Sequence, residues 1–297
     1  MRPTLRAAFI VASCFTMSLW GTQTARAKEQ DNRALFAEMH PKTGLVQVAN
    51  GLVSLNIGPN FKYLDSTDAT TMVVKILHNP PSAAEGILGM IVPTTEGQNW
   101  FAVIEYSAEG HVPDNDAASV NYDELLKEMQ KQSESDAKER RDAGFAGAKL
   151  VGWAQKPYYD SGTKKIYWAK SIQFDDSPNP TLNYDVRILG RTGFLNIKIV
   201  DSIDQLNKIN AKMPEILTMA NFTQGNTYAD YVSSTDHTAA YGIAGLVAGG
   251  VLAKAGFFKG LLVVAAAFWK LIAVAVMGFL AAIGNFFRRR FGRDPVQ

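Results

Sequence analysis

Glu105, His111, Asp114 and Asp116 are the side chains whose types and spacing could do chemistry together. They lie in the stretch Glu105-Tyr106-Ser107-Ala108-Glu109-Gly110-His111-Val112-Pro113-Asp114-Asn115-Asp116. A histidine beside carboxylates is an ordinary acid–base set, and two carboxylates at a fixed separation can hydrolyse a glycosidic bond. The stretch follows a strand pattern and precedes the clearest helical one, where loops often carry sites. Asp114 and Asp116 also offer clustered oxygen ligands of the kind calcium takes. The glycine and terminal glutamate of an EF-hand are missing, so the expectation is an acidic polar loop and no metal.

Beyond that stretch the chemistry is mostly absent. There is no G-x-S-x-G, no H-E-x-x-H, no Walker loop and no dinucleotide glycine fingerprint. His40, His78, His111 and His237 are scattered without metal-ligand spacing. No cofactor is expected. Trp100, Trp153, Tyr158, Tyr159, Tyr167 and Trp168 form an aromatic-rich set on strand patterns. They could line a groove for glycan or peptide, but aromatic residues favour strands and cores in any case, and packing is the expectation.

The two ends of the chain set its address. Arg2 and Arg6 precede a short apolar stretch over Ala7–Trp20, and Ala25-Arg26-Ala27 places small residues where a signal peptidase reads them. Residues 1–27 therefore read as a signal peptide, with Lys28 as the mature start. Two rival readings are an uncleaved anchor and a lipoprotein box at Val11-Ala12-Ser13-Cys14. Cys14 is the single cysteine, so a processed chain has no disulfide, thiol nucleophile or cysteine-held zinc. At the other end, residues 239–287 are almost wholly apolar and Arg288, Arg289, Arg290 and Arg293 follow. About 20 apolar residues suffice to cross the hydrocarbon, and arginines gather on the cytoplasmic side.

A span over 260–287 is about 42 Å long as a helix. Upstream, 241–258 is a second apolar length in which Gly245, Gly249 and Ala253 put small residues on one face. Either 260–287 crosses once, or the two segments cross as a hairpin around Lys259. The hairpin would carry the arginines outward, so the single crossing is preferred, with residues 288–297 as a cytoplasmic tail. The formal net charge of +2 hides an acidic middle and a basic tail. The acidic part argues against nucleic acid; the basic tail suits the inner face of a bilayer.

Residues 28–238 are expected to form one exported α+β domain, a mainly antiparallel sheet with packed helices. A short helix is expected at 32–39. VSLNI at 53–57 alternates as a half-buried strand does, and 61–64 continues it after a turn. A helix capped by Asp65 or Ser66 runs to Leu77, and 87–92 and 100–106 form a hairpin. Asn121 caps a helix to Ala143, with Glu134–Lys138 and Asp136–Arg140 as ion pairs. Four strands follow at 149–158, 165–173, 182–189 and 194–200. Short turns join them, so they make an antiparallel meander. Ser202 caps a last helix interrupted by Pro214. The order of elements is loosely Mog1/PsbP-like, which carries no function.

GLVSLNIGPNFKYLD, LGMIVP, WFAVIEYSAEGHVPDNDA, LVGWAQKPYYD, LNYDVRILGRTGFLNI and STDHTAAYG occur in that order. On these strings residues 45–290 resemble the bacterial membrane-anchored proteins grouped as domain of unknown function 2167. The resemblance implies an exported domain with a C-terminal membrane anchor and brings no activity or catalytic residues. The expected function is a binding or scaffold module in the cell envelope. Its partners would be the lipid bilayer, envelope proteins or cell-wall components, on the inner membrane with the domain outside. The alternative is an envelope hydrolase using Glu105, Asp114 or Asp116.

Overall fold

β-branched and aromatic residues at every second position make strands here, and what differs between them is how many faces are buried. The computed structural model describes residues 34–95 and 100–249. The chain divides into two units at Ala248 and Gly249, and the described residues fall almost wholly in the first. β1 (Gly44–Val48), β2 (Val53–Ile57) and β10 (Ala220–Phe222) form a small antiparallel sheet in the order β1-β2-β10. The main sheet has seven strands in the order β3-β4-β5-β9-β8-β7-β6. These are β3 (Phe61–Asp65), β4 (Ile87–Pro93), β5 (Phe101–Ser107), β6 (Ala148–Asp160), β7 (Lys165–Phe174), β8 (Thr181–Leu189) and β9 (Phe194–Ser202). Every pairing is antiparallel, so the α+β class and the β6–β9 meander stand. One expectation fails: Phe61–Asp65 does not continue VSLNI but opens the larger sheet.

Helices cover both faces. α1 (Ser66–Thr70) runs into a π turn at Thr71–Ile76, and Asp65 caps it by accepting from the Thr67 and Asp68 amides. α2 (Tyr122–Asp142) starts on Asn121, which accepts from the Asp123 and Glu124 amides. Gly144, at φ +83°, ends it in a left-handed turn that favours glycine. The expected ion pairs along α2 are not those formed. Lys138 binds Asp142, Asp136 accepts from Gln132, and Arg140 donates to Ala146 O. On a wet helix face several i,i+4 partners compete at similar energy, so spacing does not select one. α3 (Leu206–Met219) contains Pro214, and Ser202 makes no capping bond to the turn before it.

One face of the main sheet meets α3 and the small sheet across Ile104, Val186, Leu195, Ile197, Ile209, Met213 and Ile216. The other face is divided. α1 and its π turn cover β4 and β5 through Met72, Val73, Met90 and Val103. α2 lies on β6 and β7 through Leu126, Met129, Leu150 and Phe174. α2 also serves the edge of β6, where Leu150 N–H donates to Ser133 Oγ and Gln130 donates to Val151 O.

The packed fold runs past residue 238. Ala239, Tyr241, Ile243, Leu246 and Val247 are buried, and Ile243–Ala248 forms the short helix α4. The start of the apolar run is thus a core element of the domain. No helix among the described residues is long and apolar enough to cross a membrane. The expected signal at 1–27, the span at 260–287 and the tail at 288–297 lie outside the described residues.

Candidate functional site

Pairing registers bring three loops to one end of the main sheet. Ser107 pairs with Phe194, Leu189 with Phe194, and Asp160 with Lys165. The stretch holding His111, Asp114 and Asp116 leaves β5 at this end, beside the β6–β7 and β8–β9 turns. Residues 223–242, a polar strap leading to α4, cross over it. Arg191 N–H donates to Asn226 O, His111 N–H to His237 O, and Ala239 N–H to His111 O. At Gly110 the backbone has φ +98°, and a Cβ would lie 2.7 Å from His237. A side chain there would therefore push the strap away.

His111 is 8% exposed. Its ring stacks on Tyr231, with centroids 3.8 Å apart, and on Tyr228 at 4.1 Å. Its Nδ1 has no hydrogen-bond partner among the described residues. Burial lowers the affinity of the ring for a proton, against the pull of Asp114, the Arg191 backbone and Asp236. Asp114 Oδ2 accepts from Tyr159 at 2.5 Å and from Lys164 at 2.8 Å. Burial opposes its charge, but Lys164, Tyr159 and Tyr228 outweigh that and hold the carboxyl below the usual range. Arg191 grips Asp236 of the strap with Nε at 2.7 Å and Nη2 at 2.9 Å. The same guanidinium and the Val232 amide hold Asp236 well below the usual carboxylate range.

Asp116 does something else. Its Oδ1 and Oδ2 accept from the Ile243 and Ala244 amides at 2.8 and 3.1 Å, so it caps α4 from 127 residues away. Arg187 donates to Leu246 O near the other end of α4. A negative group at the first amides and a positive one at the last carbonyls both suit the helix dipole. Glu105 points to the divided face of the sheet, where Lys198 donates to it at 2.7 Å. The four candidates therefore do not converge: His111 and Asp114 share one cluster, Asp116 holds α4, and Glu105 belongs to the sheet. Nor do the aromatic residues form one groove. Trp100 packs on Phe61, Trp168 is fully buried, Trp153 donates to Tyr122 O, and Tyr158 stacks in the open on Tyr167. Burial raises the carboxyls of Asp136 and Asp201, neither of them a candidate.

Sequence reasoning missed a set of polar residues in the middle of the sheet. Direct cross-strand pairs share a face. Trp168, Asp185, Lys198 and Val103 make one such row, and Ile166, Arg187, Asn196 and Glu105 make the next. Lys170 and Asn183 pair beside them. Lys170 binds Asp185 at 2.8 Å and Lys198 binds Glu105, with all four side chains mostly buried. The Arg187 guanidinium sits 5.1 Å from the Trp168 and Phe194 ring centroids. Part of that residue is exposed, but Nε lies deep, and burial lowers its affinity for the proton despite Asp185, Tyr241, Glu105 and Glu109 nearby. Trp168 Nε1, Asn183 Nδ2, Arg187 Nε and Asn196 Oδ1 are buried without hydrogen-bond partners among the described residues. Each such group costs about 1–3 kcal/mol unless water or a ligand meets it. The signal was present in the alternation of Asn183-x-Asp185-x-Arg187 and Asn196-x-Lys198. What the sequence withheld was that these strands are central, so that the polar side is mostly buried between the parts of the face held by α1 and α2.

The architecture defines an antiparallel α+β domain with a polar floor on its divided face and a strap locked across one end. The chain belongs to the family described as Protein of unknown function (DUF2167), whose model matches residues 40–280. No curated protein matches it. It is similar to cyanobacterial PsbP (CyanoP) from Synechocystis at 8% identity and a TM-score of 0.35, covering 62% of this chain and 92% of that one. It is also similar to the Saccharomyces cerevisiae Ran-binding protein Mog1p at 11% identity and a TM-score of 0.34, covering 62% and 96%. At these scores the likeness carries nothing about activity.

Proposed function

We propose that the protein is an outward-facing binding or scaffold module of the bacterial cell envelope, held on the inner membrane by one C-terminal crossing. The observation that carries the binding half is the polar floor. Paired charges and unmet polar atoms in the centre of a sheet are costly to folding and useful for recognition. A hydrolytic reading needs two carboxylates free to act at a set separation. Glu105, Asp114 and Asp116 are instead bonded to Lys198, to Lys164 and Tyr159, and to the α4 amides. The tether rests on the apolar residues 260–287, the arginines behind them and the signal-like start. Envelope proteins or cell-wall components are the partners such a placement offers.

A photoreactive residue at position 198 of the full chain, irradiated in living cells, tests the binding half. A discrete adduct at 198, absent at the exposed control position Lys138 and lost with Asp185→Asn, is the expected result. Equal adducts at both positions, or none at 198, would count against it.

A further inference from the structure

We propose that the strap is a proton-operated latch, in which His111 is the pin and its protonation frees residues 223–242 from the end of the sheet. The ring is held between Tyr228 and Tyr231, both on the strap, while His111 itself belongs to the loop after β5. The backbone pairs beside it, His111 to His237 and Ala239 to His111, are each 2.8 Å. Ring and backbone thus both fasten strap to loop at His111, beside the Tyr228 hydroxyl, which donates to Val112 O.

The charged groups around the ring come from four elements. Asp114 lies on its own loop, Lys164 on the β6–β7 turn and Arg191 on the β8–β9 turn; Asp236 and His237 lie on the strap beside Tyr228 and Tyr231. Both carboxylates are already engaged, Asp114 with Lys164 and Asp236 with Arg191. An imidazolium would enter a shell whose charges already cancel in pairs, and its Nδ1–H would meet no acceptor among the described residues. The Arg191 backbone can take one ring N–H, but desolvation outweighs that pull, and a buried charge with an unmet donor is expelled or kept neutral. Expelling this one separates the rings and pulls the paired backbone with them.

The sign follows from burial. The folded-state affinity for the proton is lowered from the ordinary histidine value. The packed ring therefore contributes fully above about pH 6.5, and that contribution fades as pH falls through the folded-state value. Asp114 and Asp236, both held low, stay charged through this window, so the strap's ion pairs do not fail first. On the tethered reading, release would let the domain move relative to its anchor in acid. The latch itself does not depend on where the protein lives.

Hydrogen exchange followed by mass spectrometry on the full chain in detergent, corrected for the chemical rate at each pH, reads the latch directly. Protection of peptides from 223–242 should fall about tenfold between pH 7.5 and 5.5, while peptides from β8 and β9 hold. His111→Gln and His111→Tyr are two neutral replacements. Whichever keeps the strap protected at pH 7.5 should lose the pH response, and His237→Gln should retain it. Unchanged strap protection across the range, or a full response in both His111 variants, would overturn the latch. Membrane placement plays no part in the readout, so a failed latch and a failed tether are separate results.

Discussion

Asp116 and Asp236 look alike in sequence and do different work. Asp116 supplies the acceptors that the first amides of α4 lack, as a serine or asparagine does for a helix of its own chain. Asp116→Ala should destabilise the domain by about 1 kcal/mol, within the usual range for a lost cap, and Asp116→Asn should recover most of it. Chemical denaturation of the full chain in detergent checks both; equal losses for Ala and Asn would mean that charge, and not capping, is the contribution. Asp236 acts through its charge. Its folded-state carboxyl is held well below the usual range, first by Arg191, so its stabilisation is complete above about pH 4 and is lost as pH falls below that. Asp236→Asn should lower the melting temperature at pH 7 and flatten its decline in acid. An unchanged acid limb would show that other carboxyls dominate there. None of these roles was legible from residue type, because a cap, an ion pair and a catalytic acid draw on the same side chains. What separates them is the partner, and here the partner comes from far along the chain.

At the level of elements, local chemistry was readable and long-range choice was not. Asn121 and Asp65 cap the helices expected of them, since a cap and its amides are neighbours in sequence. The β6–β9 meander was readable because turns of hairpin length force antiparallel neighbours. The break between β2 and β3 was not, because a three-residue turn between alternating runs looks the same whether the chain stays in its sheet or leaves it. The apolar run after residue 238 shows the limit most plainly. Buried core and membrane span draw on the same residues, and here Ala239, Tyr241, Ile243, Leu246 and Val247 belong to the core. Leu246 is fully buried, so Leu246→Ala should cost about 2–5 kcal/mol of domain stability. A substitution there that leaves the unfolding midpoint unchanged would mean that α4 is not part of the domain.

For the whole molecule, these contacts place the end of the folded unit near Ala248, after the strap and α4. A chain of residues 28–248 should therefore unfold more cooperatively and at a higher temperature than one of 28–238. The shorter chain exposes the surface that Tyr241, Ile243, Leu246 and Val247 cover and leaves Asp116 without its amides. Equal melting of the two would return the boundary to 238. On the proposed function, this folded unit serves as an envelope module tethered through residues 260–287. That picture stands on the domain facing outward on one crossing. The most direct measurement uses the single cysteine to advantage. In a Cys14→Ser background, one cysteine is placed at Lys138 and another, in a separate chain, after Gln297. Intact spheroplasts are then treated with a membrane-impermeant maleimide. Labelling at 138 without lysis, and after Gln297 only upon lysis, is the predicted result; the reverse pattern, or labelling of both positions without lysis, would contradict it.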